Sequence, residues 1–132
     1  MVASKITLNP IHLGLGATAE TQPDFTGAMD WYMDYAARSE DDGMDGRLVS
    51  MHTFSESWDM WEMHPNGSEV VLCTSGSVAL IQELLDGSEN RTVLEEGEYA
   101  INAPGVWHTA DVVEKASVVF ITAGMGTMHR AR

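Results

Sequence analysis

The sequence predicts an all-β fold, a sandwich or small barrel, preceded by a short arm that carries one helix. After Gly46, short runs rich in Val, Leu, Thr and aromatic residues follow one another, with turn residues about every eight to twelve positions. The longest uninterrupted apolar runs have the length of strands, and many short strands at regular spacing are typical of sandwiches and barrels. We therefore expect a single domain in which residues 1–45 form the arm and helix and residues 46–132 form the barrel.

The first elements come from the arm. Residues 1–24 are predicted to be irregular or extended, because two prolines and two glycines interrupt any regular pattern. From Phe25 to Arg38 the apolar residues recur at helical spacing, and Asp24 stands where a capping side chain is expected. The acidic run 39–43 is predicted to end this helix in an exposed loop.

The barrel elements follow from runs of strand-forming residues and the turns between them. Predicted strands cover about 47–54, 58–64, 69–75, 77–85, 91–95, 99–102, 106–112 and 115–122. Pro65-Asn66-Gly67, Asp86-Gly87 and Pro104-Gly105 supply the turn residues that separate several of them.

Charge and composition exclude several classes of function. Seven Lys and Arg residues against 20 Asp and Glu give a net charge of −13, which repels nucleic-acid phosphates and anionic lipid, so neither is an expected partner. A single cysteine excludes a disulfide framework. Polar residues and a proline interrupt the apolar N-terminal segment, so we expect a cytoplasmic protein rather than a secreted one. No phosphate-binding loop, dinucleotide fingerprint or serine-hydrolase motif is present.

One turn is predicted to bring several polar side chains together. Residues 65–67 suit a tight turn, so the strands on either side are expected to pair as a hairpin. In that register His64 faces Glu69 with Cβ atoms about 5 Å apart. Glu62 lies on the same face because side chains alternate along a strand. The residues alone leave two interpretations open, the polar end of a hairpin or a metal site.

The same alternation predicts that the sheet is apolar on both faces. Trp61 and Leu72 point away from the polar cluster, whereas Val71 and Cys73 share its side. An antiparallel sheet with one solvent-exposed face does not show this pattern, so the outer face is expected to be buried by another part of the protein or by a partner. The helix, a swapped arm or a partner subunit could bury it, and we favour a homodimer.

These residues resemble the two sequence motifs of the cupin superfamily. The first motif, G(X)5HXH(X)3,4E(X)6G, aligns with residues 56–76, and the second, G(X)5PXG(X)2H(X)3N, aligns with residues 97–112. The matching residues are His64, Glu69, Gly76, Gly97, Gly105 and His108. The departures are Glu56 for the first glycine, Glu62 for the first histidine, Ala103 for the proline and Val112 for the asparagine.

The resemblance implies a double-stranded β-helix of two antiparallel sheets that binds a divalent metal through His64, Glu69 and His108. Glu62 stands at the position of the fourth ligand, and its role is open: metal ligand, catalytic general base, or hydrogen-bond partner of a ligand. Two imidazoles and two carboxylates suit Mn²⁺, Fe²⁺ or Ni²⁺, and they also allow Zn²⁺.

The same resemblance implies a small-molecule site inside the barrel. If the protein is an enzyme, the expected chemistry is metal-assisted, like that of a dioxygenase or an isomerase. Two alternatives stay open at this point: a non-catalytic barrel that binds or senses a ligand, and a metal-free structural barrel.

Four other residues are expected to have structural roles. His52 is predicted to be a hydrogen-bonded core or surface imidazole, and Cys73 a packing residue. Trp107 is predicted to point outward, beneath the helix or at a dimer seam. His129 lies beyond the last predicted strand, in a tail expected to fold back without binding the metal.

Overall fold

The computed structural model describes residues 2–132, and antiparallel strands dominate them. The strands are β1 (Ile11–Gly14), β2 (Thr18–Thr21), β3 (Arg47–Phe54), β4 (Met60–Met63), β5 (Glu69–Glu83), β6 (Glu89–Glu95), β7 (Tyr99–Asn102), β8 (His108–Asp111), β9 (Ala116–Thr122) and β10 (Met128–Ala131). The helix α1 spans Met29–Arg38, and 3-10 turns cover Leu15–Ala17 and Glu40–Asp45. The all-β prediction is confirmed. No helix in this part of the chain is long and apolar enough to cross a membrane.

The strands form two antiparallel sheets that share β5. The first sheet has the order β2-β1-β3-β9-β5-β7, and the second has the order β10-β4-β8-β5-β6. The first half of β5 pairs with β7 and β9, and its second half pairs with β6 and β8. Because one strand belongs to both sheets, the sheets close around a common interior.

The prediction of two separate strands, 69–75 and 77–85, is wrong, because β5 runs continuously through both. Gly76 has a φ of +74°, which turns the chain from one sheet to the other without ending the strand. A side chain at this position would overlap with the carbonyl oxygen of Lys115. Gly76 is therefore the bend that lets one strand serve two sheets.

Replacing Gly76 by alanine is expected to destabilise the protein by at least about 2 kcal/mol, because a left-handed backbone conformation and a backbone clash act together. Gly87 is the matched control: its φ is +84°, but an added Cβ there would meet open space. Urea unfolding of G76A and G87A measures the two free energies of unfolding. Equal losses in both variants would show that the clash with Lys115 has no energetic consequence.

The predicted hairpin around residues 65–67 is also wrong. β4 pairs with β8 and β10, and β5 pairs with other strands, so the turn carries the chain from the second sheet into the first. Both strands pair with segments far away in the chain, so the local turn chemistry does not decide the pairing.

The N-terminal arm adds strands to the first sheet, next to β3. β1 and β2 form a hairpin that extends the first sheet through β3. The helix begins at Met29 with Ala28 as its N-cap, so the predicted start at Phe25 and the predicted cap by Asp24 are wrong. Gly27, with a φ of +77°, separates Phe25 from the helix. The division of the chain at residue 45 stays a prediction.

The interior between the sheets is apolar and closely packed. Its buried members are Val71, Cys73, Val78, Leu80, Leu94, Ala110, Val112, Ala116, Val118 and Phe120. Aromatic side chains including Phe54 and Trp58 leave a cavity of only about 10 Å³ there. A space of that size holds at most one water molecule. This part of the barrel therefore has no room for an organic ligand.

Candidate metal centre

Four acidic and imidazole side chains converge at one end of the barrel. Glu62 lies on β4, His64 directly follows it, Glu69 begins β5 and His108 begins β8. Glu62 on β4 lies directly opposite His108 on β8 in the second sheet, so residues from both sequence motifs are neighbours there. One potential ligand atom from each of the four residues lies within 4.8 Å of the others. The structure thus brings together all four residues that the sequence singled out.

The two imidazoles face the two carboxylates at short range. His64 Nε2 lies 2.8 Å from Glu62 Oε1 and 3.0 Å from Glu69 Oε2. His108 Nε2 lies 3.1 Å from Glu69 Oε1 and 3.9 Å from Glu62 Oε1. Despite these neighbours, neither buried nitrogen makes a hydrogen bond, because the carboxylate oxygens lie off its bonding direction. Buried polar atoms without partners are rare, and a cation among these atoms would supply the partner that both nitrogens lack.

Hydrogen bonds on the far side of each ring orient Nε2 into the cluster. The Thr127 hydroxyl donates its one proton to the carbonyl oxygen of Gly124, so it can only accept from His64 Nδ1 at 2.8 Å. His108 Nδ1 lies 3.2 Å from the carbonyl oxygen of Val106, which also only accepts. In the neutral form, both rings therefore carry their proton on Nδ1 and present the Nε2 lone pair to the site.

Glu69 is held by a second layer of hydrogen bonds. Asn102 donates its amide to Glu69 Oε1 at 3.1 Å, and Thr122 donates its hydroxyl to Oε2 at 2.6 Å. Gln82 in turn donates to the side-chain oxygen of Asn102 at 2.7 Å. Such outer partners are typical of residues that orient metal ligands. Sequence reasoning missed Asn102, Thr122 and Gln82, because the contacts depend on strand pairing across the barrel.

Their mutual contacts shift the pKa values of Glu62, His64 and Glu69 in the metal-free protein. Burial disfavours the charged forms, but each charged side chain is stabilised by the opposite charges around it. Close contact with the carboxylates of Glu62 and Glu69 outweighs burial at His64 and raises its pKa to about 9. At Glu69, close contact with the rings of His108 and His64 outweighs burial and holds its pKa well below the usual range. Glu62 is partly buried, and contact with His64 lowers its pKa.

These shifts predict how the stability of the metal-free protein depends on pH. The raised pKa of His64 contributes stability that is complete below pH 6.5 and is lost as the pH rises towards about 9. The lowered pKa values of Glu62 and Glu69 contribute stability that is present above pH 4.5 and is lost as the pH falls. We expect the free energy of unfolding to decline between pH 6.5 and 9 in wild type, as measured by urea unfolding after chelation. In H64Q this decline should shrink, and an equal decline in both proteins would contradict the assignment to His64.

The C-terminal tail folds back onto the barrel as expected, but as a strand that the sequence did not predict. His129 lies on β10, directly opposite Glu62 on β4, and its Nε2 is 3.1 Å from Glu62 Oε2. Sequence reasoning did not identify β10 as a strand, so no local pattern placed His129 beside the site. The Trp107 ring lies 4.5 Å from the guanidinium of Arg130, and its predicted place beneath the helix or at a dimer contact stays a prediction.

The other two residues with predicted structural roles pack against apolar neighbours. Cys73 is fully buried in the apolar core. His52 packs against Phe25, Phe54 and Phe120, with ring centroids 4.8 to 6.2 Å apart. Burial lowers its pKa, so it is neutral at physiological pH. The packing of His52 against aromatic rings takes the place of the hydrogen bond that the sequence led us to expect.

Comparison by sequence finds no matching family model and no matching curated protein. Comparison of structures finds oxalate oxidase, at 19% sequence identity and a TM-score of 0.55, over 70% of this chain and 50% of that one. This chain thus spans half the length of that oxidase. A cupin-2 domain protein from Shewanella frigidimarina matches at 18% identity and a TM-score of 0.49, over 58% of this chain and 69% of that one.

A cupin superfamily protein from Desulfitobacterium hafniense is also similar, at 14% identity and a TM-score of 0.49, over 59% of this chain and 67% of that one. At these identities the likeness concerns the fold. The shared strand β5, the two closed sheets and the meeting of both sequence motifs at one end of the barrel agree with the likeness of fold to oxalate oxidase. The fold of this protein is that of a small cupin domain.

Proposed function

We propose that the protein binds a divalent metal ion through Glu62, His64, Glu69 and His108 and acts on a small organic molecule beside it. The observation that carries the proposal is the pair of buried Nε2 atoms that face two carboxylates without a hydrogen bond. Two neutral imidazoles and two carboxylates balance the charge of a dication. Their mixed nitrogen and oxygen donors suit Mn²⁺, Fe²⁺ or Ni²⁺, and they allow Zn²⁺.

Exposure indicates where a substrate reaches the site. The side chain of Glu62 is 27% exposed, whereas those of His64, Glu69 and His108 are at most 5% exposed. The barrel interior behind the site is packed, so a substrate approaches on the side of Glu62. Tyr32 and His52 are close enough to Glu62 for its charge to affect their pKa values. As part of this proposal, the Tyr32 hydroxyl and the His52 imidazole stand on the same side of the site as the Glu62 carboxylate.

The chain's own residues then have distinct roles. Burial, with a contribution from Glu62, raises the pKa of Tyr32 to about 12, so its hydroxyl stays protonated and can donate to a substrate oxygen. His52 stays neutral and can accept or donate a hydrogen bond there. A bound divalent metal supplies Lewis-acid polarisation of a substrate oxygen or, for a redox-active ion, the capacity to react with dioxygen. Glu62, at the mouth, is the residue placed to move a proton to or from the substrate.

The substrate class that fits best is a small organic acid. The solved oxalate oxidase structures include complexes with glycolate, a substrate analogue of that enzyme. A Tyr32 hydroxyl and a metal ion are both suited to a carboxylate or hydroxyl oxygen. We therefore propose oxygenase-like or isomerase-like chemistry on a small acid, in a cytoplasmic protein.

Metal titration tests the proposal. Protein stripped with a chelator is titrated separately with Mn²⁺, Fe²⁺, Ni²⁺ and Zn²⁺, desalted and measured by plasma mass spectrometry, and the loaded forms are screened for turnover of small acids. We expect near-stoichiometric retention of at least one ion. If no ion is retained, the proposal is wrong and the protein is a structural barrel. If a metal is retained but no acid is turned over, the protein is a ligand-binding barrel rather than an enzyme. E62Q separates the roles of Glu62: weaker metal binding identifies a ligand, whereas retained metal with lost turnover identifies a proton-transfer group.

The outer face of the first sheet supports the proposed homodimer. Two rows of apolar side chains cross this sheet at directly paired positions, and none of them is buried. One row consists of Ile11, Val49, Ile121, Val70 and Ile101, and the other of Met51, Val119, Leu72 and Tyr99. Ile101 and Tyr99 are more than half exposed. Contiguous apolar surface of this kind marks protein contact sites, and two copies of one such face can bury each other around a twofold axis.

Light scattering during size-exclusion chromatography tests this contact. We expect wild type to elute with twice the 14.4 kDa mass of one chain. I101K, which puts a charge into the apolar face, should elute as a monomer, while V93K on the exposed side of β6 should stay dimeric. Dimers in both variants would place the contact on another surface.

A further inference from the structure

We infer that His129 is a positioning residue for Glu62, which it holds so that one carboxylate oxygen faces the metal. The inference rests on the proposed function. β10 pairs with β4 so that His129 lies directly opposite Glu62. The distance from His129 Nε2 to Glu62 Oε2 is 3.1 Å, while Glu62 Oε1 lies 2.8 Å from His64 Nε2. The two oxygens of one carboxylate are thus divided between His129 and the cluster.

Glu62 needs such support more than the other three residues do. Glu69 is 2% exposed and is already held by Asn102 and Thr122. Glu62 is 27% exposed, and His129 is the hydrogen-bond partner that the structure gives to its Oε2. An ionised carboxylate only accepts hydrogen bonds, so His129 Nε2–H is the donor. Without this bond the Glu62 side chain can rotate towards solvent. Metal binding must then pay the entropy of ordering that side chain, which lowers the affinity.

The C-terminal strand is anchored on its other face, which keeps His129 in place. The guanidinium of Arg130 lies between the rings of Trp61 and Trp107, 5.1 and 4.5 Å from their centroids, and forms an ion pair with Glu83. Adjacent residues on a strand point to opposite faces, so Arg130 fixes the strand while His129 faces the site. His129 lies outside the group whose ligand atoms cluster within 4.8 Å, and it acts on the metal through Glu62.

The test compares Mn²⁺ binding by full-length wild type, H129A, H129Q and R130M. Affinity is measured by calorimetry, and the symmetry of the ligand set is measured by electron paramagnetic resonance of bound Mn²⁺. Loss of an outer hydrogen bond to a metal ligand typically lowers affinity by 10–100-fold, so we expect about a 10-fold loss in H129A, with a changed Mn²⁺ spectrum. The glutamine amide of H129Q can donate to the same oxygen and should restore most of the affinity and the wild-type spectrum. R130M loses the cation and its ion pair but keeps an apolar side chain against the tryptophans and leaves His129 itself intact, so its loss of affinity should be smaller than that of H129A.

The outcomes distinguish this inference from the proposed function. A wild-type protein that binds no metal overturns the proposed function and the inference together. Normal wild-type binding with unchanged affinity and spectrum in H129A overturns the inference alone. The inference is also overturned if R130M reproduces the loss seen in H129A and H129Q fails to restore it, because docking of the strand would then explain the effect.

Discussion

Replacing His108 by alanine is expected to leave the protein without bound metal. The His108 side chain is fully buried, its Nε2 faces Glu69 at 3.1 Å, and the other imidazoles nearby, His64 and His129, already contact the carboxylates of the cluster. H64A is expected to have the same effect. Loss of a ligand should lower the affinity by more than the roughly 10–100-fold that loss of an outer hydrogen bond produces. Plasma mass spectrometry of desalted protein measures the metal content.

The control for both variants is H12A. His12 is also buried, but it bonds Tyr35 and Asp42 in the N-terminal arm, away from the four-residue cluster. Circular dichroism confirms that each variant is folded before its metal content is compared. Metal retained by folded H64A and H108A at the wild-type level would exclude the proposed ligand set.

Replacing Glu69 by glutamine is expected to abolish metal binding and to destabilise the metal-free protein. Asn102 and Thr122 both donate to the Glu69 carboxylate, which accepts on both of its oxygens. A glutamine amide has only one accepting oxygen and places an N–H group against one of these donors. A buried donor left without an acceptor costs about 1–3 kcal/mol. Removing the carboxylate also removes the charge that raises the pKa of His64.

Urea unfolding and metal analysis of E69Q measure both effects, with E89Q as the matched control. Glu89 is exposed on β6, so the same change of charge there should alter neither the metal content nor the stability. Wild-type metal content in E69Q would show that Glu69 supplies no essential charge to the site.

Much of the barrel could be predicted from local patterns. The runs of strand-forming residues located β3, β7 and β9 closely, because alternation and turn residues are properties of short segments. The short strands β1, β2 and β10 were missed. Each has only four residues, and β10 contains His129 and Arg130, which do not form an apolar run. β1 pairs with β2 and β3, and β10 pairs with β4, and a local pattern does not record such pairing.

The candidate site, too, was predictable from the sequence in its residues but not in the strand pairing that assembles it. Motif spacing singled out Glu62, His64, Glu69 and His108, and the structure brings them together. The predicted reason for the approach of His64 to Glu69 was a local hairpin, and it was wrong, because β4 pairs with β8 and β10. The two side chains still meet because the turn between them is short and crosses from one sheet to the other at the same end of the barrel.

By itself, the amino-acid sequence determined the all-β class, most strand positions and the four residues of the candidate site, since these depend on residue type and spacing. Only the tertiary structure decided which strands pair, that β5 bends at Gly76 to serve two sheets, and that His129 lies against Glu62. Strand pairing joins residues far apart in the chain, and its free energy depends on which apolar faces fit together across the whole barrel. That fit is a property of all the strands at once, so no single segment of the sequence contains it.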